Sequence, residues 1–87
     1  MYKEEVVLKN ETGLHARPVS IFVKEASKFS SDINVVKDGK EFNGKSIMGI
    51  LSMGAGKDDV LTIKAEGEDE ENAVKTLVDL ISNKLSE

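Results

Sequence analysis

Between residues 16 and 29 the apolar side chains Val19, Phe22, Val23, Ala26 and Phe29 recur at intervals of three and four, the spacing that gathers one face of an α-helix. A helix that is apolar along one stripe must bury it, and the neighbouring segments supply a sheet for it to cover, because their period changes to two. Tyr2, Glu4, Val6 and Leu8 fall on one face of a first strand, with Val7 breaking strict alternation. Ile33 and Val35 alternate with polar neighbours, Phe42 follows Lys40-Glu41, and Asp38-Gly39 between them is the dipeptide of a type I′ hairpin joining strands two and three. Ser46 stands as an N-cap before Ile47, Ile50 and Leu51, a short helix of about two turns with Gly54 as its stop. Residues 60–66 put Leu61, Ile63 and Ala65 on one face of a fourth strand. Glu68, Asp69, Glu70 and Glu71 then load acids onto the start of a last helix, whose stripe of Val74, Leu77, Val78, Ile81 and Leu85 runs nearly to the end of the chain. The order strand, helix, strand, strand, short helix, strand, helix predicts an α+β sandwich with helices on one face of a mainly antiparallel sheet.

Composition narrows the classes of function. At 87 residues the expectation is one domain, residues 1–87, and without cysteine its stability rests on an ordinary hydrophobic core rather than on disulfides or thiolate metal sites. No apolar run approaches the ~18 residues of a membrane span, and the first residues, Met1-Tyr2-Lys3-Glu4-Glu5, lack a signal-peptide pattern, so a cytoplasmic chain without membrane insertion is expected. A net charge of -4 argues against nucleic acid as a direct partner. The acids concentrate between Glu66 and Glu71, where they read as a solvated helix start; their spacing is not that of a calcium loop, and no metal or cofactor is implied. Arg17, Lys24 and Lys28 form a basic stripe along the first helix, which predicts partners with acidic surfaces and association that weakens with salt. Met48 and Met53 suit a core, and Met48, next to Ile47, also suits an adaptable docking surface.

The one histidine, His15, lies in Gly13-Leu14-His15-Ala16-Arg17-Pro18 at the start of the first helix. A helix N-terminus offers unpaired amides and partial positive charge to an anion. Pro18 has no N–H to give but fits the first turn, which leaves the amides of Ala16 and Arg17 as donors, and the Arg17 guanidinium matches phosphate oxygens. An imidazole, with its ordinary pKa near ~6.5, is largely neutral at neutral pH, so a ring nitrogen can attack a phosphoryl donor directly. The product would be a phosphohistidine. Read without that chemistry, His15 is a loop or cap residue and Arg17 one partner of a surface ion pair.

The run Gly13-Leu14-His15-Ala16-Arg17-Pro18 resembles the active-site signature of the HPr family, the histidine-containing phosphocarriers of the phosphoenolpyruvate-dependent sugar phosphotransferase system. Lys45-Ser46-Ile47-Met48-Gly49-Ile50 resembles the regulatory serine region of the same family in low-GC Gram-positive bacteria. The resemblance extends over essentially the whole chain and departs at Gly44, where the family usually carries a bulky apolar residue, often leucine. Partly through that glycine, Gly39 to Ser46 also satisfies the Walker A expression. Its context is wrong for nucleotide binding, since Gly39 belongs to a hairpin turn, Phe42 to a strand, and the following helix is short. Gly54-Ala55-Gly56, between a helix and a strand, reads as a connector and not as a dinucleotide loop.

The resemblance implies an open-faced β-sandwich of four antiparallel strands covered on one face by two long helices and one short helix. It implies that His15 accepts a phosphoryl group from enzyme I on Nδ1, a choice of atom that residue type alone does not make, and passes it to IIA components of sugar permeases. Arg17 would balance the phosphate charge and the amides of Ala16 and Arg17 would hold its oxygens. Ser46 would be phosphorylated by HPr kinase/phosphorylase with ATP held by that enzyme, and the product would bind a catabolite-control regulator in carbon catabolite repression. Lys24, Lys28, Ile47, Met48 and Leu51 would dock partners. Such a chain is a carrier rather than an enzyme. Two other readings stand beside it: a phosphocarrier of a parallel nitrogen-related chain, and a docking module that is never phosphorylated and works through Ile47, Met48 and Leu51.

Overall fold

The computed structural model describes residues 1–9 and 16–84. Residues 10–15, which hold His15, and residues 85–87, which hold Leu85, lie outside the described part. Along the chain run β1 (Tyr2–Val7), α1 (Ala16–Ala26), β2 (Asp32–Lys37), β3 (Lys40–Asn43), α2 (Ile47–Ser52), β4 (Val60–Glu66) and α3 (Glu70–Asp79), which continues into a π-helical turn (Leu80–Lys84).

The strands form one antiparallel sheet in the order β1-β4-β2-β3. Its register is set by alternation: Val6 pairs with Leu61, and Ile63 lies between Glu4 on one side and Val35 on the other, so that inward residues stand side by side across strands. The β2–β3 hairpin closes at Lys37 and Lys40, with φ of 53° at Asp38 and 80° at Gly39. Positive φ at both central residues is what a type I′ turn requires, which is why this dipeptide sits here. On the covered face, Leu61, Ile63, Val35 and Ile33 meet Val19, Phe22 and Ala26 of α1 and Ala73, Val74 and Leu77 of α3 in one core. Each Val, Leu, Ile or Phe side chain among them contributes about 1.5–3 kcal/mol on removal from water, and Phe22 is among the largest.

Three element ends differ from the sequence reading. Leu8 falls just outside β1; its amide donates to the Asp59 carbonyl at 2.9 Å and its own carbonyl accepts from Asp58 at 2.8 Å, while its side chain stays fully buried on the expected face. The first helix ends at Ala26 instead of Phe29, because after the Ser27-to-Val23 bond the ladder tightens: Lys28 donates to Glu25 and Phe29 to Ala26, each only three residues back. Phe29 therefore reaches the core from a turn. The last helix passes into π geometry over Leu80–Lys84, and Leu80, three residues after Leu77 and absent from the expected stripe, is buried beside Ile81.

Candidate functional site

The site begins where α1 begins. Ala16 and Arg17 open the helix exposed, and Pro18, third in the helix, is buried. Pro18 forfeits only an amide that has no partner within the first turn, and its fixed φ suits helix entry. That leaves the amides of Ala16 and Arg17 as the donors next to His15 in the chain, with no acidic side chain in the first turn to compete for an anion. His15 itself lies outside the described residues. Lys24 is exposed on the same helix. Lys28, expected on the helical stripe, falls beyond the helix end and pairs with Glu25 at 3.1 Å, so the helical part of the stripe stops at Lys24.

Ser46 caps α2 as its position forecasts. Its backbone is extended at φ -116° and ψ 117°, and its Oγ accepts the Gly49 amide at 3.0 Å. α2 turns Ile50 into the core and leaves Ile47 43% and Met48 76% exposed. Leu51, grouped with them in the sequence reading, is instead half-buried against the core. Ile21, 44% exposed on α1, is a residue that reading missed. It lies off the Val19–Phe22–Val23 stripe, and a large apolar side chain on the polar side of an amphipathic helix is the signal that would have found it. α1 and α2 pack together, and each carries exposed apolar side chains, Ile21 on α1 and Ile47 and Met48 on α2, with Arg17 and Lys24 also exposed on α1.

The Walker-like run is structural throughout. Gly39 is in the hairpin turn, Phe42 in β3, and Lys45 Nζ donates to the Phe29 carbonyl at 2.7 Å rather than standing free for a phosphate. Gly44 is buried with its amide bonded to the Ile33 carbonyl at 2.8 Å; a Cβ there would come within 2.6 Å of Ile33 Cγ2 and 3.1 Å of that carbonyl oxygen. The departure from the usual bulky residue thus has a packing cause: Ile33 fills the space. Gly54-Ala55-Gly56 is a connector without regular structure.

The acids before and within the start of α3 are not merely solvated. Asp69 accepts the amides of Ser30 and Ser31 at 3.0 Å each and the Ser31 hydroxyl, and these bonds, the hydroxyl first, hold its carboxyl below the ordinary range. Glu70 accepts the Gly67 amide at 3.1 Å and pairs with the amino group of Met1 at 3.2 Å, which lowers it likewise. Among the described residues no group of three or more His, Asp or Glu side chains is placed to hold a metal, and no helix is long and apolar enough to cross a membrane.

Residues 2–83 match the family model described as the PTS HPr component phosphorylation site. The chain is 44% identical over 81 residues to the HPr-like protein Crh of Halalkalibacterium halodurans, covering 93% of this chain and 96% of that one. Among solved structures, HPr-C-His from Thermoanaerobacter tengcongensis superposes with a TM-score of 0.89 at 57% identity, over 93% of this chain and 91% of that one. The phosphocarrier protein HPr from Bacillus anthracis gives a TM-score of 0.89 at 42% identity, over 93% and 96% of the two chains.

Proposed function

The chain belongs to the HPr family of the phosphotransferase system, and on that premise we propose that its residues 1–87 form a single phosphocarrier domain working in the cytoplasm. His15 accepts a phosphoryl group from enzyme I and donates it to IIA components of sugar permeases. In the forward step a ring nitrogen of His15 forms the new P–N bond as the donor's bond to phosphorus breaks, and the donor keeps that electron pair. The amides of Ala16 and Arg17 and the Arg17 guanidinium receive the phosphate oxygens, so the transferred group meets charge already in place. What carries the reading is the opening of α1, where two exposed residues whose first-turn amides have no acceptor within the helix directly follow His15 in the chain and the helix's first turn carries no acid.

Partners dock on Ile47, Met48 and the outer side of Leu51, flanked by Lys24 and Lys28. Ser46 is the target of HPr kinase/phosphorylase. A phosphate there adds charge next to that apolar surface, which changes the partner from the carrier chain to a catabolite-control regulator. Incubation with phosphoenolpyruvate and purified enzyme I tests the carrier role: intact mass measurement should find an acid-labile, alkali-stable phosphoryl group that is absent from His15→Ala. No label, with the same enzyme I active on another carrier, would sink it.

A second reading, a docking module that acts without phosphohistidine, draws support from the 44% identity to the HPr-like protein Crh and from the exposure of Ile47 and Met48. Under it, His15→Ala keeps full function.

A further inference from the structure

The chain has three methionines, and the fold gives each a different environment. Met53 lies in the core with 7% of its surface exposed. Met1 is 67% exposed, and its amino group is tied to Glu70 near the start of α3. Met48 is the most exposed of the three at 76%, on the first turn of α2 beside Ile47 and on the helix that packs against α1 with its exposed Ile21.

An unbranched thioether adapts its shape to a partner, and the same exposed sulfur is open to oxidants. Oxidation converts an apolar contact into a polar, chiral sulfoxide whose oxygen needs a hydrogen-bond donor. At an apolar contact such a donor is missing once water leaves, so the sulfoxide form docks more weakly. The occupant that fits this face is a protein surface with an apolar centre and an acidic border, because Arg17 and Lys24 stand exposed on α1, the helix against which α2 packs.

We propose that Met48 is an oxidation site that tunes docking: a hydroperoxide oxidises its thioether and the sulfoxide weakens association with the phosphoryl-donor protein. The inference rests on the carrier reading above. In the step, the sulfur lone pair attacks one peroxide oxygen, and an S–O bond forms as the O–O bond breaks. The proton of the transferred oxygen passes through solvent to the other oxygen, which leaves as water from hydrogen peroxide or as an alcohol from an organic hydroperoxide. A dithiol reverses it, with the sulfoxide oxygen leaving as water and the dithiol becoming a disulfide, in the manner of methionine sulfoxide reductases.

The test treats the full chain with hydrogen peroxide, stops the reaction with catalase and maps the 16-dalton additions by peptide mass. Met48 and Met1 are expected to oxidise well before Met53. Oxidised protein should bind purified enzyme I about tenfold more weakly, and incubation with a methionine sulfoxide reductase and dithiothreitol should restore binding. The Met48→Leu variant, compared only with itself, should show no change on peroxide treatment, which excludes Met1 as the cause. Met48 remaining reduced while Met1 is oxidised would overturn the proposal, as would unchanged affinity with Met48 fully oxidised, or an equal loss in Met48→Leu. Untreated protein that neither binds enzyme I nor takes its phosphoryl group would overturn the carrier reading and the docking partner with it, whereas normal transfer by untreated protein with no peroxide effect would overturn this inference alone.

Discussion

Asp69 caps α3 in position but gives its carboxylate to Ser31: it accepts the Ser31 amide at 3.0 Å and the Ser31 hydroxyl as well, and makes no side-chain bond to the amides of its own helix. Ser31 is almost completely buried, in the connection between α1 and β2. The bond therefore pins the start of the last helix to the end of the first, across 38 residues of chain.

The lowered Asp69 carboxyl makes this tie dependent on acid. Its folded-state value lies below the ordinary 3.8, so the stabilisation is complete above that pH and is lost as pH falls through the folded value. Asp69→Asn keeps the shape but removes the titration. It should be less stable than the parent at neutral pH, and the difference should close below about pH 3.8; urea unfolding at a series of pH values checks this. Glu70, lowered by the Gly67 amide and the amino terminus, adds a second contribution of the same sign.

Gly44→Ala drives a methyl group into Ile33, where a Cβ would lie 2.6 Å from Cγ2 and 3.1 Å from the carbonyl oxygen. Overpacking of this kind costs about 1–3 kcal/mol. Equilibrium denaturation should show that loss, and Ile33→Ala in the same chain should make the added cost of the Gly44 change smaller.

Removing the Ser46 hydroxyl leaves the Gly49 amide without its acceptor. Ser46→Ala should lower stability by about 0.5–2 kcal/mol, while Ser46→Asp, which can cap, should recover most of it. Denaturant midpoints of the two variants separate the structural role of the serine from its proposed regulatory one.

Arg17 is exposed in the first turn of α1. Arg17→Ala should change stability by no more than about 0.5 kcal/mol. If the guanidinium meets the transferred phosphate, phosphorylation by enzyme I should slow by about 10- to 100-fold, the worth of one charged hydrogen bond, with Arg17→Lys in between. Rapid-quench measurement of phosphoprotein formation reads the effect.

Much of the scaffold was legible in the residue order because it depends on groups a few positions apart. The Asp38-Gly39 turn follows from the positive φ both residues tolerate, the Ser46 cap from a hydroxyl three residues before an amide, and β4 from alternation within its own span. The same local logic places Ala16 and Arg17 at a helix start. The features that had to wait for tertiary structure join distant parts of the chain: Asp69 on Ser31, Ile33 filling the space above Gly44, and Lys45 on the Phe29 carbonyl.

The outward Ile21 was readable from its place off the helix's apolar stripe, whereas residue type alone could not settle that Met53 is buried and Met48 exposed, because the two environments differ only in what other elements cover. The π turn at Leu80 is of the same kind. Backbone φ preferences and hydrogen bonds between near neighbours are properties of a short segment and can be read from it. Burial, close approach and the order β1-β4-β2-β3 depend on which remote surfaces meet, and only the packed chain decides that.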